Sequence, residues 1–536
     1  MLSVVGITIV VAGTLGAPPA NAEPSLTPTP RAVCDPGSIQ EPGLQGRVPG
    51  DEIKAGRVKD GYRCNVDIVG HQGLSGGYKV ERFIDKAGHE CAYYDTTLLF
   101  PANASTIAQQ PTGVAVLDMA DPSKPKLTTS LETPAMQSPH ESMSLNRTRG
   151  LLAAVAGNPF FAPGIVDVYD LNADCRAPVL KASAPVGILG HESGFAPDGK
   201  TFYAASVSGG TLTAIDITNP MTPMPIWEGS YNIHSLSISD DGNTAYLAGS
   251  PGYPRTELGL PSDFAGVLIF DVSQVQDRKV NPQVRLIGSV TWKSVSIPQN
   301  TIPVTIAGHP YLVETDEFSL DDKGRFVGNA PNVGAARIID IADPTHPFVV
   351  SNMRLEVNQR ENRAVVAGDP NATSSTQGYA AHYCNVPSRV DPGIVACSFI
   401  NSGLRVFDIR DPLAPKEVAY FVPPLSPSSN TWAMSSPSLI PERREVWYSD
   451  ANSGLWVLHL SASAWPSTAV VASSSDGSAA ADTSSAAPAP AVAPTRRRTL
   501  PATGDTGGNG ALMLGLSLAA IAIGLRTRRP SQRSDR

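Results

Sequence analysis

One short phrase recurs seven times along this chain of 536 residues and restricts its fold more than any other feature. Each copy starts at a glycine, continues through β-branched and apolar residues, and usually ends at an aspartate. The copies start at Gly113, Gly164, Gly210, Gly266, Gly334, Gly403 and Gly454. Several continue into Asp/Asn-Pro-x-x-Pro, and proline must follow the end of a strand because it lacks a backbone donor. Each copy therefore predicts one buried strand and a rigid turn.

The residue that ends the strand of each copy gives the period of the repeat. These residues are Asp118, Asp170, Asp216, Asp271, Asp340, Asp408 and His459, spaced 46 to 69 residues apart. The intervals have room for four short strands, which the 47 glycines and 48 prolines also favour. The repeat predicts an all-β, seven-bladed β-propeller of four-stranded blades over residues 61–460. We expect the aspartates to cap the turns that follow them, rather than to bind a ligand.

The last copy of the repeat lacks an outer strand, because low-complexity sequence starts at Ser461. The segment CNVDIVG at Cys64 to Gly70 has the pattern of an outer strand but belongs to none of the seven copies of the repeat. We expect it to pair with the last blade and close the ring, which removes an open sheet edge. The alternative is that it starts the first blade.

The repeated pattern of glycine, β-branched residues, Asp and x-x-Pro resembles the LVIVD-repeat family from roughly Cys64 to Leu460. GLLAAVAGN from Gly150 and GHESGFAPDG from Gly190 add to the resemblance. It implies a seven-bladed β-propeller on a bacterial surface. It implies no particular reaction, because a fold does not determine a function.

Histidines and acidic residues recur at or near the predicted start of the innermost strands. They are His140, Glu141, His191, Glu192, His234, Asp316, Glu317 and His382, with Trp432 at this place in the seventh blade. The innermost strands of a propeller line its channel, so five blades would direct imidazoles or carboxylates to a common centre. Such groups bind borderline divalent metals. The sequence predicts a metal or a polar ligand here; the alternative is that repeated polar residues simply hold water.

Six cysteines in an exported chain predict disulfides. Cys384 and Cys397 flank a plausible hairpin and form the first predicted pair. Cys64 and Cys91 form the second. Cys34 and Cys175 then remain by elimination, although other connectivities are possible.

The N-terminus carries the features of a signal peptide. An apolar run from Leu2 to Leu15 is followed by the small residues ANA. This predicts a signal peptide over residues 1–22, with cleavage between Ala22 and Glu23. Residues 23–60, with few apolar positions, are expected to form an N-terminal leader.

The C-terminus has three parts in a fixed order: a short motif, an apolar segment over 511–525 and an arginine-rich end. The motif matches LPxTG through Leu500, Pro501, Ala502, Thr503 and Gly504. We expect the apolar segment to be helical and to contact the membrane transiently. The whole region, 500–536, resembles the cell-wall sorting signal of Gram-positive surface proteins. By that resemblance, a sortase would join Thr503 to peptidoglycan.

Residues 461–499 are rich in Ser, Ala and Pro and have almost no large apolar side chains. Such a segment cannot bury enough apolar surface to offset its chain entropy, so it predicts a disordered stalk. The stalk would lift the folded part through the wall.

Charge and motifs narrow the possible functions to two. The net charge of -8 disfavours nucleic-acid binding, which needs a basic surface. No nucleophile elbow, P-loop or dinucleotide fingerprint is present in the sequence. The anchor and stalk favour a wall-displayed module that binds an unknown extracellular ligand. The alternative is a surface enzyme, a metal-dependent hydrolase or oxidoreductase, that uses the histidines and acids at the channel mouth.

Overall fold

The computed structural model describes residues 24–96, 112–157, 164–206, 210–231, 233–250, 258–261, 263–327, 330–374 and 378–466. The predicted signal-peptide cleavage site, the stalk beyond residue 466 and the whole sorting signal lie outside these residues. Among the described residues, no helix has the length and apolar character needed to cross a membrane.

The described part of the chain is almost entirely β-structure. Its strands are β1 Tyr62–Cys64, β2 Val66–Gln72, β3 Val80–Ile84, β4 Glu90–Asp95, β5 Val114–Asp118, β6 Lys126–Leu131, β7 Ser144–Asn146, β8 Leu151–Val155, β9 Val166–Asp170, β10 Val179–Ala184, β11 Gly194–Phe195, β12 Thr201–Ser206, β13 Thr211–Asp216, β14 Met224–Gly229, β15 Ile233–Ile238, β16 Thr244–Gly249, β17 Gly266–Asp271, β18 Arg285–Val290, β19 Ile297–Ile306, β20 His309–Glu317, β21 Ser319–Leu320, β22 Asn332–Val333, β23 Ala336–Asp340, β24 Phe348–Met353, β25 Ala381–Asn385, β26 Ile394–Phe399, β27 Gly403–Asp408, β28 Lys416–Val422, β29 Ser438–Ile440, β30 Glu445–Asp450 and β31 Gly454–Leu460. The helices are short: α1 Gly50–Lys54, α2 Pro134–Gln137, α3 Ser273–Gln276 and α4 Arg363–Val366, with 3-10 turns at Glu356–Asn358, Arg360–Asn362 and Pro441–Arg443.

These strands form seven antiparallel four-stranded blades, which confirms the predicted all-β propeller. Blades 1 to 4 are β3–β6, β7–β10, β11–β14 and β15–β18; blade 5 is β19, β20, β23 and β24; blade 6 is β25–β28; blade 7 is β29–β31 with β2. The second and third strands are buried, as in β8, whereas fourth strands such as β10 are exposed. Apolar side chains fill the space between neighbouring blades. Tyr93 of blade 1, for example, packs in one cluster with Leu152 of blade 2.

The repeated glycine is required by the close approach of two strands. Gly113 and Gly403 have φ angles of +87° and +77°, and a Cβ atom at either would lie 2.2 Å from a carbonyl oxygen at the end of the outer strand, that of Leu131 or Phe421. Any larger residue would meet both a backbone clash and an unfavourable φ. The glycine therefore sets the point where the third strand of each blade begins.

The aspartates that end these strands act as turn caps, as predicted. In each of the six copies that end in aspartate, Oδ1 of that aspartate accepts a hydrogen bond from the backbone N–H two residues later. The donors are Ala120, Asn172, Thr218, Ser273, Ala342 and Arg410, at 2.8 to 3.0 Å. This arrangement is an Asx turn. None of these aspartates contributes to the channel site described below.

The ring closes through β2, as the sequence predicts. β2 pairs with β31 in antiparallel register, from Val66 opposite Leu460 to Gln72 opposite Leu455. Blade 7 therefore takes three strands from the end of the repeat region and one from its start. β2 thus supplies the outer strand of blade 7 and leaves β31 paired on both sides.

The described residues that precede β1 pack against blades 5 and 6 although their sequence has few apolar positions. β1 adds a fifth strand to blade 6, with Tyr62 opposite Val422. Val48, Ile53 and Val58 are buried beside it. Ion pairs supply much of the remaining contact, including the pair of Arg47 with Asp369 at 2.8 Å.

The disulfide prediction is right for one pair and wrong for the other two. Cys384 and Cys397 are bonded, since they lie opposite each other in β25 and β26. The predicted pairs Cys64–Cys91 and Cys34–Cys175 are replaced by Cys34–Cys64 and Cys91–Cys175. The segment before β1 folds back along it, which brings Cys34 to Cys64. Cys91 instead lies in blade 1, beside the turn of blade 2 that carries Cys175.

Candidate metal centre

Five side chains converge at one mouth of the channel, one from each of blades 2 to 6. They are Glu141, His191, His234, Glu317 and His382, which we call the histidine–glutamate cluster. Four of them precede or lie in the innermost strand of their blade, as predicted. Glu317 does not: it ends β20, the second strand of blade 5, opposite Ile297 of β19. Because the strands are antiparallel, the end of a second strand lies at the same mouth as the start of a first strand.

The five side chains form a closed ring of short contacts. The Nε2 atoms of His191 and His234 are 2.8 Å apart. Glu141 Oε2 lies 3.2 Å from His191 Nε2, and Glu141 Oε1 lies 3.4 Å from His382 Nε2. Glu317 completes the ring, with Oε1 3.0 Å from His234 Nε2 and Oε2 3.3 Å from His382 Nε2. The five side chains thus form a continuous ring of polar contacts between neighbouring blades.

These distances fit the spacing of ligands around one divalent metal ion. Atoms bound at about 2.0–2.2 Å from an ion, at tetrahedral or octahedral angles, lie roughly 3.0–3.5 Å from one another. Four of the five contacts in the ring fall in this range. The fifth, between the two Nε2 atoms of His191 and His234, would widen slightly around an ion. The donor set of three imidazoles and two carboxylates suits borderline divalent metals.

Both carboxylates of the cluster are held in the ionised form. Burial acts to raise the pKa of Glu141, but the imidazoles of His191, His234 and His382 outweigh it and hold this pKa well below its usual range. Burial likewise opposes ionisation of Glu317, and His234 and His382 again lower its pKa. Two buried negative charges therefore share one site.

The pKa values of the imidazoles around these carboxylates shift in different directions. Burial lowers the pKa of His191, and His234 beside it adds to the effect. Burial also lowers the pKa of His140 to about 3, so the His140 ring is neutral at pH 7. Only His234 shifts the other way: burial acts to lower its pKa, but Glu317 and Glu141 raise it. Because burying a charge is costly, a cation bound between the two carboxylates would stabilise both of them.

Backbone conformation at the cluster is unusual. His140 and Glu141 are consecutive residues with positive φ, at 41° and 73°, and Phe318, directly after Glu317, has a φ of 61°. Non-glycine residues rarely adopt this region, and each instance costs on the order of 1–3 kcal/mol. Both carboxylates are thus placed by backbone that the surrounding fold has to hold in position.

Side chains around the cluster fix the orientation of its members. His382 Nδ1 donates to the carbonyl of Met434 at 2.7 Å, which fixes the ring with Nε2 towards Glu141 and Glu317. Tyr383 Oη and Gln299 Nε2 both donate to Glu141 Oε2, at 2.9 and 3.1 Å. Such outer contacts orient metal ligands and tune their affinity.

Two sequence-predicted ligands are not brought to the cluster. Glu192 turns away and pairs with Lys79, its Oε1 lying 2.6 Å from the ammonium nitrogen. Asp316 faces the interior of blade 5, where Arg337 and Trp292 donate to its Oδ2 at 3.0 and 2.9 Å. In each case a neighbouring residue along the chain, His191 or Glu317, supplies the group that reaches the cluster.

Two further predicted residues lie at the edge of the cluster. His140 packs its ring on His191, with centroids 4.3 Å apart, and its Nδ1 is buried without a hydrogen-bond partner among the described residues. One nitrogen of His140, one of His191 and a Glu141 oxygen lie within 4.8 Å of one another. Trp432 is half-buried before β29, and its backbone N–H donates to Asp450 at 2.7 Å.

A second group of histidine and aspartates, outside the channel, has a structural explanation. Asp85, His89 and Asp174 bring three possible ligand atoms within 4.8 Å. The oxygens of Asp85, however, accept hydrogen bonds from the backbone N–H groups of Ala87, His89 and Cys175. Burial acts to raise the pKa of Asp85, but these bonds lower it to about 2. This carboxylate ties the Cys175 turn to blade 1.

Sequence reasoning missed the residues that orient the cluster. Tyr383 follows the predicted ligand His382 in β25. This adjacency could have indicated that the Tyr383 side chain contacts a ligand of the cluster. Gln299 and Lys79 carry no such signal, because their partners Glu141 and Glu192 come from other blades, far away in the sequence.

We predict that Tyr383→Phe weakens metal binding by about 10- to 100-fold without unfolding the propeller. The hydroxyl is a dependable donor: burial, with Glu141 adding to it, raises the pKa of Tyr383 well above its usual value. Its loss frees Glu141 Oε2 from one of two side-chain donors. Metal titration against a competing chelator measures the change. Tyr311→Phe, at the far end of blade 5, serves as the control, and equal affinity in both variants would contradict the positioning role.

No protein-family model matches the chain, and no curated protein matches it. Solved structures with a similar fold include hydrazine synthase of Kuenenia stuttgartiensis, at 14% identity over 72% of this chain and 96% of that chain, with a TM-score of 0.44. They also include a periplasmic gluconolactonase of Pseudomonas aeruginosa, at 15% identity over 64% and 86%, with a TM-score of 0.44. At these identities the likeness concerns the β-propeller fold alone.

Proposed function

We propose that this protein is a surface metalloprotein whose β-propeller holds one divalent transition metal in the histidine–glutamate cluster. The observation that carries the proposal is the convergence of three Nε2 atoms and two carboxylates from five blades, at ligand spacing. A set of residues kept only to hold water would not need two ionised carboxylates at one buried point. Bound there, the metal would supply Lewis acidity or a redox centre.

The roles of the chain's own residues follow from their contacts. The Nε2 atoms of His191, His234 and His382 would bind the ion, and Glu141 and Glu317 would bind it and neutralise its charge. This favours the metal-dependent alternative over a display module that acts through its loops alone.

Metal content tests this function. We expect the purified protein to carry about one equivalent of a divalent transition metal by mass spectrometry, and the triple variant His191→Ala, His234→Ala, His382→Ala to carry under about a tenth. His309→Ala with His346→Ala is the control, because one ring is about half exposed, the other is largely exposed, and both pair with aspartates outside the cluster. If the wild-type protein bound less than about a tenth of an equivalent of metal after each candidate metal had been supplied, the proposal would be wrong.

We also propose that the protein is exported and anchored covalently to a Gram-positive cell wall. The support is the ordered signal at residues 500–536 and the predicted signal peptide. Three disulfides within the described residues fit an oxidising compartment.

The sorting motif can be tested in a Gram-positive host. We expect muramidase to release the protein from purified walls with its C-terminus at Thr503 linked to a peptidoglycan fragment. Leu500→Ala with Pro501→Ala should shift it to the membrane and medium fractions. Wall attachment that persists in this variant would contradict sortase anchoring.

A further inference from the structure

Three side chains that can react with one another meet in the interior of the propeller. Lys79 directly precedes β3 of blade 1, Glu192 precedes β11 of blade 3, and Asn300 lies in β19 of blade 5. Each of the three is more than nine-tenths buried. None of them belongs to the histidine–glutamate cluster. The fold thus places a lysine, a carboxylate and a carboxamide from three separate blades at one point.

One carboxylate oxygen holds the other two side chains together. Glu192 Oε1 accepts a hydrogen bond from Lys79 Nζ at 2.6 Å and another from Asn300 Nδ2 at 3.2 Å. The lysine amine and the asparagine carboxamide are therefore neighbours on the same atom. Glu192 Oε2 and Asn300 Oδ1 have no hydrogen-bond partner among the described residues. A proton can therefore move to the carboxylate, and the carbonyl group of Asn300 is not held by another donor.

The surroundings of Lys79 favour a reaction between these groups. The centre of the Tyr383 ring lies 4.1 Å from Lys79 Nζ and covers one side of the amine. Moving a proton from the ammonium to Glu192 replaces a buried ion pair with two uncharged groups, which removes a costly desolvation. All three side chains also border a cavity of about 630 Å³ that the innermost strands line. A small leaving group can depart through this cavity.

We propose that Lys79 and Asn300 form an intramolecular isopeptide bond, with Glu192 as the group that moves the protons. Glu192 takes a proton from the Lys79 ammonium, and the neutral amine attacks Cγ of Asn300. A second proton passes from the attacking nitrogen through Glu192 to Nδ2. The Cγ–Nδ2 bond then breaks and ammonia leaves, taking the remaining proton from Glu192. One carbon–nitrogen bond forms, one breaks, and no further reactant is needed.

The bond ties blade 1, which follows the closing strand β2, to blade 5 through their innermost strands. A covalent link between residues so far apart in the sequence constrains the unfolded chain, as a disulfide does. Fixed positions on a rigid scaffold also supply the proximity that makes an amine attack a carboxamide. The inference goes beyond the metal-binding function and does not depend on it, because no ligand of the cluster takes part.

Mass spectrometry of the purified full chain, reduced and digested with trypsin, tests the proposal. We expect the peptide 64–82, uncut after Lys79, to be joined to the peptide 294–323, at a mass about 17 Da below the sum of the two. Loss of ammonia accounts for this difference, whereas a bond between Lys79 and Glu192 would remove water and about 18 Da. Metal-free protein serves for this measurement, so a failure of metal binding leaves the result unaffected.

Variants assign the reaction to the three side chains. Lys79→Met removes the nucleophile and Glu192→Gln removes the proton carrier, so neither should contain the joined peptides. Glu81→Gln is the matched control: Glu81 lies in β3 and pairs with Arg147 at 3.0 Å, and this variant should be cross-linked as the wild type is. The wild-type peptides decide the question even where a variant does not fold. The proposal is overturned if they appear separately, if Lys79 is joined to Glu192, or if folded Glu192→Gln is cross-linked to the same extent.

Discussion

Glu141→Gln is expected to lower the affinity for metal by at least about 100-fold while the propeller stays folded. The substitution removes one of two ionised carboxylates and one of five ligands, so both the charge and the coordination of the site are lost. The fold should persist because Tyr383 and Gln299 can donate to the amide oxygen of glutamine as they do to Glu141. Competitive titration with a chelator measures the affinity.

Glu442→Gln is the matched control for this variant. Glu442 is about half exposed and pairs with Arg82 on the surface, away from the cluster. It should bind metal as the wild type does. If Glu141→Gln, shown to be folded by circular dichroism, retained wild-type affinity, Glu141 would not be a ligand.

Arg405→Met is expected to lower the free energy of unfolding by about 3–5 kcal/mol. Arg405 is fully buried, with Nη2 2.6 Å from Glu41 Oε2 and Nη1 3.1 Å from Glu417 Oε1. Methionine fills a similar volume but leaves two carboxylates without their cation. Glu417 is already costly to ionise, since burial raises its pKa. Because Glu41 belongs to the segment before β1, that segment should lose its attachment to blade 6.

Urea denaturation, followed by tryptophan fluorescence, measures this loss. Arg410→Met is the control: Arg410 is half exposed and pairs with Asp408, so its removal should cost no more than about 1 kcal/mol. Equal stabilities of the two variants would show that the buried ion pairs do not hold the segment. Proteolysis should cut Arg405→Met before β1 sooner than the wild type.

The propeller could be predicted because its signals are local and repeated. Gly113 and Gly403 stand where a Cβ would strike the backbone of an outer strand, and each following aspartate caps the next turn. The glycine begins every copy of the repeat, and the aspartate cap recurs in blades 1 to 6, a fixed few residues after it. The closing strand β2 could be predicted because the last copy of the repeat lacks an outer strand, whereas Cys64 to Gly70 has the pattern of an outer strand.

The cluster and the disulfides could be predicted only in part, because they depend on which way a side chain faces. Adjacent residues on a strand point to opposite sides. His191 reaches the cluster while Glu192 turns to Lys79, and Glu317 reaches it while Asp316 turns to Arg337. The sequence predicts correctly at which mouth of the channel each pair of adjacent residues lies. It does not predict which residue of the pair faces the cluster. The pairing of Cys34 with Cys64 likewise depends on a segment that folds back through ion pairs, which carry no periodic signal.

Anomalous X-ray diffraction from crystals of the metal-loaded protein, collected above and below the absorption edge of the bound element, tests the central claim most directly. We expect one strong anomalous peak in the channel, about 2.0–2.2 Å from the Nε2 atoms of His191, His234 and His382. Oxygens of Glu141 and Glu317 should lie at a similar distance from it. A peak elsewhere, or no peak in the cluster in protein saturated with metal, would contradict the account.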